Sequence, residues 1–144
     1  MPDSRIHDEV LGSLRHDAEL DRYQGSYAFE ATFLTISVSS DGGSFEAALA
    51  RARHILLGLK HYSESAKEYA ALKLLGRKND SWLDEDEDPL TSDEFKARMQ
   101  LTALDFSGDG GVTFWHDDGD LFWGHAIEID MNGEDRYFRA DTPG

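Results

Sequence analysis

Residues 114–125 read FWHDDGDLFWGH, and the way this stretch folds decides the architecture of the C-terminal part of the chain. It holds two of the three tryptophans, two histidines and three aspartates. Asp118-Gly119 is a turn signal between runs in which apolar residues alternate, the pattern of a β-hairpin closed by a two-residue type I′ turn. That turn fixes a register. Asp117 faces Asp120, His116 faces Leu121, Trp115 faces Phe122, Phe114 faces Trp123 and Val112 faces His125. Alternation then sorts two faces. Val112, Phe114, Leu121, Trp123, Ile127 and Ile129 form the core face, with His116 at its rim and His125 inside it. Trp115 and Phe122 lie on the other face, beside an acidic tip of Asp117, Asp118 and Asp120.

Those five residues, Trp115, Phe122, Asp117, Asp118 and Asp120, are the expected partner-binding surface. Aromatic residues are enriched at interaction hot spots. Like charges directly opposite one another destabilise a hairpin unless a cation or basic partner meets them. The simpler alternatives are a cross-strand aromatic pair that only stabilises the hairpin, and aspartates serving as ordinary turn residues.

Working outward, residues 112–117 and 120–130 are the two arms of this hairpin. Asn132-Gly133 turns the chain into a strand over 134–140. On the other side, Leu104 and Phe106 end a strand, and Ser107-Gly108-Asp109-Gly110-Gly111 is a turn cluster. The sum is a C-terminal four-stranded meander. An N-terminal hairpin is read from Tyr23, Tyr27 and Phe29 in one parity and Leu34, Ile36 and Val38 in the next, ended by turn residues 39–43. Leu11-Gly12-Ser13-Leu14 can begin a first strand, and residues 1–9 read as a loose N-terminal segment.

Between the two β regions the period changes. Phe45, Leu49, Ala52, Leu56 and Leu59 recur at helical spacing behind Ser44 as N-cap. A second helix is expected from Ser65, where Ser65 and Glu68 have the form of a capping box. Tyr69, Leu72 and Leu75 would face inward, and Gly76 would be the stop. The run DEDED at 84–88 reads as a solvated loop, anchored by Trp82 and Leu83, unless something cationic meets it. Thr91 and Glu94 complete a capping box for a short helix over 92–99, with Leu90 and Phe95 as its hydrophobic staple. The expected fold is therefore α+β: a single domain over 1–144, with a largely antiparallel sheet and two to three helices on one face.

The 144 residues carry a formal charge of −15 and no cysteine. The charge argues against nucleic acid or an anionic membrane as a partner and suits steering towards a basic protein. Without cysteine there are no disulfides, thiolate nucleophiles or Cys-type zinc sites. No secretory signal or membrane-length apolar run is present, which makes the cytoplasm the expected location. No nucleophile elbow, phosphate loop or dinucleotide fingerprint occurs, and no cofactor is expected.

Residues 105–116 approach a calcium loop. Asp105, Ser107 and Asp109 take positions one, three and five, with Gly110 at the glycine position, but His116 stands where a bidentate glutamate belongs. Asp105, Asp109 and His116 are thus a weak metal alternative, and a Gly/Asp hairpin loop explains the same residues. A second alternative is a hydrolase or metal-dependent enzyme in which His116, Asp117, Asp120 and His125 converge in one pocket.

The segments His7-Asp8-Glu9-Val10-Leu11-Gly12, Lys78-Asn79-Asp80-Ser81-Trp82-Leu83, Leu90-Thr91-Ser92-Asp93-Glu94-Phe95 and DGDLFWGH at 118–125 resemble a bacterial family catalogued as domain of unknown function 2262. The resemblance runs from about Ile6 to Gly144. It implies a bacterial cytoplasmic protein and carries no catalytic residues with it. Small size, acidity and the lack of a catalytic motif lead to the expectation of a non-enzymatic protein-binding module. An immunity-type protein that neutralises a basic toxin is one form of it.

Overall fold

The computed structural model describes residues 5–143. Eight strands form one sheet whose spatial order is the chain order. They are β1 (Arg5–Asp8), β2 (Gly12–Asp17), β3 (Arg22–Phe29), β4 (Thr32–Val38), β5 (Gln100–Phe106), β6 (Val112–Asp117), β7 (Ile127–Met131) and β8 (Tyr137–Asp141). Neighbours pair antiparallel except β4 and β5, which run parallel. Parallel neighbours need a crossover rather than a hairpin. Helices α1 (Phe45–Leu57), α2 (Leu59–Ser81) and α3 (Ser92–Arg98) supply it. The result is the α+β arrangement expected, a largely antiparallel sheet with the helices packed on one face. The N-terminal part, however, is a four-stranded meander rather than a hairpin alone, joined edge to edge to the C-terminal meander.

That face is the core. Leu34, Ile36 and Val38 of β4 alternate inward, as do Leu104 and Phe106 of β5, Val112 and Phe114 of β6 and Ile127 and Ile129 of β7, and all are buried. From the helices, Ala48, Ala52, Ile55, Leu56, Leu59, Ala66, Ala70 and Leu74 close over them. Small alanines where helix meets sheet allow close approach, and fully burying each larger aliphatic side chain stabilises by about 1.5–3 kcal/mol.

Several expectations change. The loose segment over 1–9 is replaced, from Arg5 on, by β1 paired to β2; residues 1–4 lie outside the described residues. Asp8 makes this turn. Its Oδ2 accepts from the backbone N–H of Val10 (2.9 Å) and Leu11 (3.0 Å), while Arg53 Nε donates to Oδ1 at 2.7 Å.

The second helix does not start at Ser65 or stop at Gly76. It runs from Leu59 to Ser81. Ser65 caps nothing: its hydroxyl donates to Tyr62 O (3.1 Å) and meets the Tyr137 hydroxyl at 2.5 Å. Gly76 faces open space. A glycine there costs about 1 kcal/mol of helix propensity, which burial of Ala66, Ala70 and Leu74 outweighs. The inward stripe is also displaced: Leu72 is 78% exposed. The third helix follows its local signal closely. Thr91 Oγ1 accepts from Glu94 N (3.2 Å), Glu94 Oε1 accepts from Thr91 N (2.9 Å), and Phe95 is buried.

In the C-terminal meander the turn over 107–111 stands as read. Asn132-Gly133 is not a two-residue turn. Asn132 Oδ1 accepts from Glu134 N and Arg136 N, and Asp135 takes the positive φ, so the turn is longer. The long strand over 120–130 shortens to β7, and residues 118–126 leave the sheet altogether. No helix among the described residues is long and apolar enough to cross a membrane.

Candidate functional site

The stretch from Asp117 to His125 is organised by one buried carboxylate. Asp118 is almost fully buried. Its Oδ1 accepts from Asp120 N (3.1 Å), and its Oδ2 accepts from Phe122 N (2.8 Å) and Gly124 N (3.0 Å). Two tight turns follow each other around it, closed by Leu121 N to Asp118 O (3.0 Å) and His125 N to Phe122 O (3.1 Å). Gly119 and Asp120 both have positive φ, as do Trp123 and Gly124. The primed turn expected at Asp118-Gly119 is therefore centred one residue later, and the chain stays out of the sheet until β7.

That shift overturns the hairpin register. Strand β6 pairs instead with β7: Phe114 faces Ile129, Trp115 faces Glu128 and His116 faces Ile127. Trp115 and Phe122 are not a pair. Phe122 is buried in the core beside Phe95, with ring centroids 6.0 Å apart. Trp123, expected inside, is 57% exposed. His125 is half-buried, its ring 5.6 Å from that of Trp82. Asp118 is a folding residue and not part of an exposed tip; Asp117 and Asp120 are exposed as expected.

The acidic run over 84–88 meets cations after all. Lys78, fully buried near the end of α2, donates from Nζ to Glu87 Oε1 (2.7 Å) and to Trp82 O (2.6 Å). Arg98 at the end of α3 donates from Nη1 to Glu87 Oε2 (2.7 Å). Its Nε and Nη2 both reach Gly119 O, at 2.9 and 2.7 Å. The Lys78 ammonium, together with Arg98, holds the Glu87 carboxyl down at about 2. Arg98 thus clips the acidic loop to the 118–121 turn. A Cβ on Gly119 would lie 2.3 Å from Arg98 O, so only glycine permits this contact.

Trp82 stands between the two loops. Its ring meets Phe122 at 5.6 Å, edge-on, and Trp123 at 4.8 Å, tilted. The result is one edge of the molecule with an exposed tryptophan on a fixed aromatic base, flanked by exposed Asp117 and Asp120. The exposed Asp84, Glu85, Asp86 and Asp88 lie on the loop that Arg98 ties to it. Trp123, Lys78 and Arg98 were missed in the sequence because each depends on the one-residue turn shift or on the tertiary approach of two loops.

The other candidate residues do not assemble. His116 is buried on the core face, and neither ring nitrogen has a hydrogen-bond partner among the described residues. Burial in apolar surroundings pushes its pKa down to about 3. Among the described residues no hydrogen bond joins any two of His116, Asp117, Asp120 and His125. Asp105 and Trp115 lie on the opposite, helix-free face of the sheet, where Trp115 Nε1 donates to Asp105 Oδ2 at 2.9 Å. Asp109 is held in its loop by Ser107 Oγ (2.5 Å) and Gly111 N (2.9 Å). Asp105 is therefore divided from His116 by the sheet, and Asp109 sits in the β5–β6 loop, at the opposite end of β6 from His116. No group of three or more metal-type ligands converges among the described residues.

No curated protein and no solved structure matches the chain. Residues 8–141 match the model of the family described as "Uncharacterized protein conserved in bacteria (DUF2262)". The match covers nearly all of the chain, including both loops of the acidic edge, and the protein belongs to this bacterial family, domain of unknown function 2262.

Proposed function

We propose that the protein is a non-enzymatic binding module that captures a basic protein partner on its acidic, tryptophan-bearing edge. An immunity-type role, neutralising a basic toxin, is the form this takes. The observation that carries the reading is Trp123: a large aromatic side chain held in the open by the turns around Asp118 and backed by the Trp82 ring. Tryptophan is enriched at interaction hot spots, and the rim of an interface is polar. The carboxylates of Asp117, Asp120 and the 84–88 loop surround it, and the net charge of −15 extends the same sign over long range. Such a field raises association rates with a basic partner and is screened by salt.

The test is a kinetic binding measurement against any basic protein encoded beside its gene. The association rate is expected to fall steeply between low and physiological salt. Trp123→Ala should weaken the complex by about 2 kcal/mol or more, roughly thirtyfold, chiefly by faster dissociation. Asp117→Asn with Asp120→Asn should slow association instead. A neighbouring basic product that binds with unchanged affinity after all three substitutions, or none that binds, sinks the reading.

A further inference from the structure

The helix-free face of the sheet carries a second feature, which shares no residue with the Trp123 edge. One register row crosses it from β3 to β8: Gln24, Ser37, Asp105, Thr113, Asp130 and Arg139. Every side chain in that row is polar. Over its middle lies a groove of about 510 Å³ with Ser37, Asp105, Thr113 and Asp130 as its floor, a size typical of small-ligand sites.

Ser37 is the anomaly. It is 4% exposed, and its hydroxyl has no hydrogen-bond partner among the described residues. Buried hydroxyls are nearly always satisfied, so one left open on the floor of a groove calls for a partner supplied from outside the chain. Around it the polar groups are held in place. Asp105 has Oδ2 fixed by Trp115 Nε1, and its Oδ1 has no hydrogen-bond partner among the described residues. Asp130 has Oδ1 fixed by the Thr113 hydroxyl at 2.7 Å, while its Oδ2 lies 3.5 Å from Arg139 Nε. Carboxylates oriented in this way lose little freedom when a ligand arrives.

Charge and shape narrow the ligand. Asp41 and Asp109 add two more carboxylates at one end of the groove, and Arg22 is the one cation among the described residues lining it. The excess of acid excludes an anion. The carboxylates are spread along the groove rather than gathered to a point, which does not suit a single metal ion. Asp105 and Asp130 stand two strands apart, roughly 10 Å at ordinary strand spacing. The rims carry Leu20 and Phe138, both largely exposed apolar side chains. A flexible chain of methylenes bearing ammonium groups at intervals matches both the separated carboxylates and the apolar rims.

We propose that this groove binds an alkyl polyamine. Ser37 Oγ and Asp105 Oδ1 accept N–H bonds from one ammonium, Asp130 meets a second, the methylenes between them cross Thr113, and Leu20 and Phe138 flank the bound chain at the two rims. The ammonium supplies the donor that the Ser37 hydroxyl lacks.

The experiment is isothermal titration of the intact protein with spermidine at 150 mM NaCl, with putrescine and butylamine as shorter and singly charged probes. Saturable one-to-one binding is expected in the order spermidine, putrescine, butylamine. Ser37→Ala and Asp105→Asn should each weaken it about tenfold, the scale of a hydrogen bond to a charged group. Glu46→Gln, which removes one exposed charge on α1, should leave it unchanged. Amide shifts on spermidine addition should centre on Ser37, Asp105, Thr113 and Asp130. Ser37→Ala removes only an unpartnered hydroxyl, so its fold is preserved and its result stands even if Asp105→Asn unfolds. Two outcomes overturn the proposal: no saturable binding, or a weak heat equal in wild type, Ser37→Ala and Glu46→Gln, which marks general screening of an acidic surface.

Discussion

Asp118, Glu87 and His116 are three titratable side chains taken out of water, each in a different way. Asp118 is satisfied by three backbone donors. Asp118→Ala should leave those N–H groups open and cost about 3 kcal/mol, read as a lower denaturant midpoint, with Trp123 losing its fixed position. Glu87 is satisfied by charge, and His116 has no hydrogen-bond partner among the described residues. Both make the fold acid-sensitive, in adjoining windows. The depressed Glu87 pKa contributes stability that is complete above about 4.5, its ordinary value, and is lost as pH falls through about 2. The depressed His116 pKa means that the unfolded chain takes up a proton first. Its contribution is complete above 6.5 and is lost progressively down to about 3. Equilibrium unfolding against pH should therefore show stability already declining below 6.5. His116→Leu should flatten the upper part of that decline, and Glu87→Gln the lower. At neutral pH Glu87→Gln should cost about 3 kcal/mol, because it strands the buried Lys78 ammonium, whereas Lys78→Met should cost less, because it removes the charge as well as the pair.

At the scale of elements, what could be read from the sequence was what is decided locally. The short helix α3 was legible in four residues, since Thr91 and Glu94 satisfy each other whatever surrounds them. The strands over 22–38 and 112–117 were legible because one face is buried and alternation records it. Helix α2 was misread because Ser65 and Gly76 carry local cap and stop signals that packing of Ala66, Ala70 and Leu74 overrides. The 118–126 loop was misread for a subtler reason. Asp-Gly identifies a turn, but either Asp118-Gly119 or Gly119-Asp120 can occupy its centre. Burial of the Asp118 carboxylate, which no pattern of apolar residues reports, decides between them. One position of error exchanges Phe122 for Trp123 between core and surface, so the aromatic half of the candidate site was legible as chemistry but not as an individual residue.

At the scale of the molecule, the strands lie side by side in the order in which they are made, and the sheet divides into two meanders. Most pairings within each meander join near neighbours in sequence. The parallel contact of β4 with β5 is different: Ile36 meets Leu104 and Val38 meets Phe106 only after residues 39–99 have crossed over. Non-local contacts of this kind form late, because the loop must close before they stabilise anything. Substitutions there should accelerate unfolding and leave folding nearly unchanged. Ile36→Val and Leu104→Ala are thus expected to give φ-values near zero, and Tyr27→Leu or Ile129→Val higher ones, in stopped-flow measurements. The parallel pairing then acts as a seam between two half-sheets. Before it closes, β4 and β5 each present an open edge, and a half-sheet from one molecule can close on the complementary half of another. Exchange of halves between chains is the misassembly to which this topology is most open, and closure of the seam protects against it.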